Sequence, residues 1–86
     1  MFNPLAAADA VKKELTSNPN LLGDWNKLAD TDPNAVKQAI IDLAAKHGIK
    51  MSEGQLKLAL AAGKPFLGKL SQAVREQAEQ LIKKLF

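Results

Sequence analysis

The stretch KHGIKMSEGQL, Lys46 to Leu56, gathers the side chains best suited to chemistry: His47, the only histidine, with Ser52 and Glu53 a few residues on. A serine, an imidazole and a carboxylate are the raw material of nucleophilic catalysis, and an imidazole among carboxylates can bind a divalent metal. The spacing supports neither. A zinc site needs four ligands, and a chain with one histidine and no cysteine has only carboxylates left to supply the rest. Ser17, Ser52 and Ser71 stand in no recognisable nucleophile setting, and the five glycines are scattered rather than grouped into a phosphate-cradling loop. No enzymatic activity, metal, cofactor or small-molecule substrate is expected.

The same residues make sense as a joint between two helices. Gly48 follows the last periodic residue of one helix and suits the left-handed position that ends helices. Ile49 can then fold back over Leu43 or Ala44. Ser52 begins the next helix, and Ser52 with Gln55 matches a capping box, each side chain serving the other's backbone amide. Met51 and Leu56 flank the cap as a hydrophobic staple. His47 falls on the apolar side of the first helix, at its carboxyl end, where positive charge is favoured.

Proline marks the other elements. Asn3-Pro4, Asn18-Pro19 and Asp32-Pro33 each place a side-chain acceptor before a residue that lacks an amide, which predicts three helix starts. The first helix should run from Pro4 to about Thr16, with Leu5, Ala8, Val11 and Leu15 inward. The second should run from Pro19 to Ala29, with Leu21, Leu22, Trp25, Leu28 and Ala29 in one stripe. The third should span Pro33 to His47 with Val36, Ile40, Leu43, Ala44 and His47 inward. The fourth, Glu53 to Ala62, is apolar nearly all round and is expected at the centre. The fifth should run from Pro65 onward on a seam of Leu67, Leu70, Val74, Ala78, Leu81 and Leu85.

Eighty-six residues rich in Ala, Leu, Lys and Gln, without strand-period alternation, predict a single all-α domain over residues 1–86. The expected architecture is a compact bundle of four or five short helices. Without cysteine, stability must come from apolar burial. The amino terminus lacks the basic start and apolar run of a secretion signal, so a cytoplasmic setting is expected. Charge is uneven: residues 1–34 carry three lysines against five acids, whereas residues 35–86 carry nine basic residues against four acids.

Residues Leu43, Ala44, Gly48 and Ile49 have the relation found in DNA-reading helix-turn-helix units, but Gly54 stands where an apolar residue belongs and Leu56 comes two positions late. A second pattern covers more of the chain. It comprises Asn18-Pro19-Asn20-Leu21, Asp32 with Ala35 and Val36, then Ala44, Gly48, Ile49, Met51, Ser52 and Leu56. On these positions the chain from about residue 11 to 60 resembles the nitrogen-fixation-associated leader-peptide domain. That resemblance implies a small helical unit, at the front of some bacterial ribosomally made peptides, that is bound by a modification enzyme and removed at a double glycine. No double glycine follows these residues here, and residues 64–86 read as a further helix.

With catalysis set aside, the expected function is a small helical binding module that docks on a partner protein. Leu58, Phe66 and Phe86 would make the apolar contact, within a charged rim of Lys64, Lys69, Arg75, Lys83 and Lys84. The alternative is binding of nucleic acid or an anionic membrane surface through the basic residues 64–86.

Overall fold

The computed structural model describes residues 2–67 and 71–86, without the side chains of Phe66 and Leu67. It contains five α-helices and, among the described residues, no strand. They are α1 (Pro4–Ser17), α2 (Leu21–Ala29), α3 (Pro33–Lys46), α4 (Glu53–Leu67) and α5 (Gln72–Leu85). The all-α bundle expected from composition is what forms.

The local signals act as their chemistry requires. Asn3 Oδ1 accepts from the amides of Leu5 and Ala6, and Asp32 Oδ1 accepts from Ala35, so both cap helices whose first residue is proline. At the joint, Gly48 has φ +83°. Its amide donates to Ala45 O and that of Ile49 to Ala44 O, both at 2.9 Å, which closes the helix end with two paired bonds. The Ser52 amide donates to Gln55 Oε1 at 2.9 Å, and the Gln55 amide to Ser52 Oγ at 3.3 Å. Met51 and Leu56, on either side of that cap, are both buried.

Several expectations need correction. Asn18 ends α1 instead of capping α2: its amide donates to Glu14 O, and Pro19 and Asn20 form a turn before α2 begins. The fourth helix does not stop at Ala62 but continues through Pro65 to Leu67. Proline costs a helix the bond to the residue four back, here Ala61. Ala61 is exposed, so solvent can serve that carbonyl. The fifth helix begins instead at Gln72, where Ser71 Oγ accepts from Val74. Residues 68–70, including Leu70 of the expected seam, lie outside the described residues, as does the side chain of Leu67.

On α1 the expected inward face holds at Ala8 and Val11, with Leu15 partly buried against the core, and fails at Leu5. Leu5 is 57 % exposed, whereas Ala7, Ala8, Ala10 and Val11 are buried. Alanine lets two helices approach closely, and a Cβ built on Gly63 of α4 would lie 3.4 Å from Ala8 Cβ. Close helix contact over small side chains wins over burial of one terminal leucine. Leu28, at the end of α2, is likewise exposed.

The centre of the bundle is α3, not α4. It touches all four other helices, with Val36, Ile40 and Ala44 at most 1 % exposed. Around it, among the described residues, α1 packs chiefly on α4 and α2 on α5, and α4 meets α5 less than either. The radius of gyration, 11.6 Å, is close to the roughly 12 Å expected of a globule of this length. The separation of α4 from α5 is therefore local, within an otherwise closed bundle.

Candidate functional site

His47 is placed outward, against the expectation of an inward face. Its Nε2 donates to Glu14 Oε1 at 2.9 Å, while Lys46 Nζ stands 3.7 Å from the same oxygen. The His47 hydrogen bond holds the Glu14 carboxyl below its ordinary value of 4.5, assisted by the charge of Lys46 and opposed by partial desolvation. This cluster ties α1 to the end of α3. Among the described residues no group of three or more His, Asp or Glu side chains is placed to hold a metal ion.

The separation of α4 from α5 leaves a partly enclosed cleft of about 270 Å³. All five helices contribute to it. Ile40 of α3 and Leu56 of α4, each at most 1 % exposed, form its innermost wall. Ala8, Val11 and Leu15 line it from α1, Leu22 and Trp25 from α2. Ala59, Leu60 and Gly63 face it from α4, and Val74, Ala78, Leu81 and Ile82 from α5.

The sequence shows why the gap is not filled. Ala59 and Gly63 on α4 and Ala78 on α5 present small side chains to the cleft, and a Cβ at Gly63 would meet Ala8 of α1 at 3.4 Å. Lys12 and Thr16 are the polar side chains of the described lining, and Thr16 Oγ1 donates to Lys12 O at 2.9 Å. The α2–α5 wall is pinned at its outer side. Asn26 Nδ2 donates to Gln77 O, and Lys84 Nζ meets both Asn26 O and Asp30 Oδ1, the latter at 2.9 Å.

The residues expected to meet a partner are dispersed among these features. Leu58 is 57 % exposed on α4, and Phe86 is 45 % exposed with Lys37 Nζ 4.8 Å above its ring. Lys64 and Lys83 are exposed and Arg75 is half-buried. Lys84 is engaged within the fold, through Asp30 and Asn26, so it serves α5 before any rim. Phe66 and Lys69 were also expected contacts; the side chain of the first and the whole of the second lie outside the described residues.

Sequence reasoning missed the cleft altogether. Its walls are apolar residues at ordinary helical spacing, which reads the same whether a face meets another helix or borders a gap. Among the described residues no helix is long and apolar enough to cross a membrane.

Comparison with family models, curated proteins and solved structures finds no match.

Proposed function

We infer that the chain is a small non-enzymatic binding module, working in the cytoplasm, and that its receptor is the cleft between α4 and α5. One observation carries this reading: a domain of 86 residues keeps about 270 Å³ of apolar space beside its core. Interiors of folded proteins normally pack to crystal density. At about 24 cal/mol per Å³, a sealed void of this size would cost about 6 kcal/mol, comparable to the whole stability of a small domain. The cleft is partly open, which lowers the cost, but water gains few hydrogen bonds from such walls. An apolar occupant recovers that energy.

The test uses xenon or benzene, which enter apolar cavities, with methyl resonances of Ile40, Leu56 and Leu81 as reporters. Shifts that saturate and remain confined to cleft methyls are expected. Shifts spread evenly over the surface, or none, would overturn the reading.

Docking of a partner protein on the outer faces of α4 and α5 is the second reading. The exposure of Leu58 and Phe86 favours it, although single exposed apolar side chains are common. A protein captured from lysate by the wild-type chain at high salt, and lost with Leu58→Asp, would support it. Binding that disappears with salt and with nuclease belongs to nucleic acid, and salt-sensitive binding to anionic vesicles belongs to a membrane surface; both would use the basic residues 64–86.

A further inference from the structure

We propose that the outer face of α4 takes an acidic amphipathic helix of a partner protein, with Leu58 at the centre of the contact and Lys57 and Lys64 facing carboxylates along one edge. This rests on the second reading above, docking on the outer faces of α4 and α5. It is independent of the cleft, whose α4 residues lie on the other side of that helix.

The shape of the face comes first. Leu56 and Ala59 are buried, which turns Gly54, Lys57, Leu58, Ala61 and Lys64 to solvent. At about 100° per residue, Gly54, Leu58 and Ala61 fall within an arc of about 60°. Glycine one turn before and alanine one turn after leave Leu58 as the large apolar side chain of that arc. Lys57 and Lys64 lie on one edge of it, about 20° apart around the helix and about 10.5 Å apart along it. The helix is held in advance by the Ser52 and Gln55 cap, so docking orders no segment on this side of the contact.

Charge selects the partner. Lys57 and Lys64 form no salt bridge among the described residues, whereas Lys13, Lys46 and Lys84 are each paired with an acid. Glu53 is the only acid of α4, so the lysine edge stays positive. A second copy of the same face is a poor match. Antiparallel pairing would set one lysine edge against the other, and parallel pairing would set it against Gln55 and Ala62, which carry no charge. Carboxylates recurring every seven residues on a partner helix repeat at the same spacing of about 10.5 Å, so both lysines meet an acid in one register.

The apolar centre separates this partner from other anions. Nucleic acid would set phosphates against Leu58, and α4 has no arginine to read bases. A membrane surface calls for a broad apolar face, and the arc presents one large apolar side chain.

The experiment titrates the isotope-labelled full chain with two designed helical peptides of about three heptads that share a seam of leucine and alanine. One carries glutamate and the other lysine at the positions flanking the seam. Duplex DNA and phosphatidylserine vesicles are run alongside. Amide shifts that saturate and centre on residues 54–64 are expected, with the acidic peptide bound more tightly than the basic one by about tenfold. That preference should shrink as salt rises. Leu58→Ser should weaken the acidic peptide by about fivefold. Lys57→Glu combined with Lys64→Glu should reverse the preference; all three positions are exposed, and helicity checks the fold. Equal binding of the two peptides, or an unreversed preference in the folded charge-swapped variant, would overturn the acidic assignment. If Leu58→Ser still weakens both peptides, docking on α4 survives that result. Tighter binding of DNA or vesicles than of the acidic peptide, at the same residues, overturns the proposal in favour of phosphate. No saturable shift with either peptide removes α4 as the docking face and leaves the second reading to Phe86 on α5.

Discussion

Ser52 and Gln55 each satisfy the other's backbone amide at the start of α4, so loss of either leaves a donor facing the helix end without a side-chain partner. Ser52→Ala should cost about 1 kcal/mol, read as a lower urea midpoint at unchanged slope. Replacement of Gly48, at φ +83°, by alanine should cost about 1–2 kcal/mol, because a Cβ there crowds the following carbonyl oxygen, not a tertiary neighbour. Glu14 makes a pH-dependent contribution. Its folded carboxyl titrates below the ordinary 4.5, so its stabilisation is present above that value and is lost as pH falls through the lowered one. Urea midpoints followed from about pH 7 to about pH 3 should drop less steeply for Glu14→Gln than for the wild type. An unchanged profile would mean that the His47 contact does not form in solution.

At the level of elements, what could be read from the sequence was what is determined within a few residues. The caps at Asn3, Asp32 and Ser52 and the helix end at Gly48 depend on neighbours in the chain, and they form as their residue types require. Leu5 and Leu28 were misplaced because each lies in a terminal turn, where helical spacing alone does not decide whether neighbours cover a side chain. His47 shares the periodicity of α3 but is drawn to Glu14, a contact between residues far apart in sequence. Pro65 was taken to open a helix, whereas it lies within the last turns of α4. There it forgoes a bond to Ala61, so Pro65→Ala should lengthen the intact hydrogen-bond ladder. A gain of about 1–2 kcal/mol in thermal or urea unfolding is expected, after allowance for the looser unfolded chain.

For the molecule as a whole, the cleft is the feature that no local pattern encodes. It arises because α1 takes α4, α2 takes α5, and the two pairs meet over α3 without closing on each other. Ile40 sits at the contact of core and cleft, 1 % exposed, so Ile40→Ala should cost about 2–5 kcal/mol and enlarge the space. Ala78→Leu works in the opposite sense. Adding methyl groups to an existing void should raise the melting temperature, provided the side chain enters without strain. A fall in melting temperature together with unaltered helicity would show that the space is already closed in solution.

The pairing of α1 with α4 and of α2 with α5 also governs how the chain can be made. During vectorial synthesis α1 emerges long before the surface that covers it, and α2 must wait for α5. Local helices can form early, but the burial that stabilises them joins distant parts of the chain, which slows folding and prolongs exposure of apolar surface. Until α5 leaves the ribosome, Leu22 and Trp25 lack one of their walls, and chaperones have a window in which to hold them.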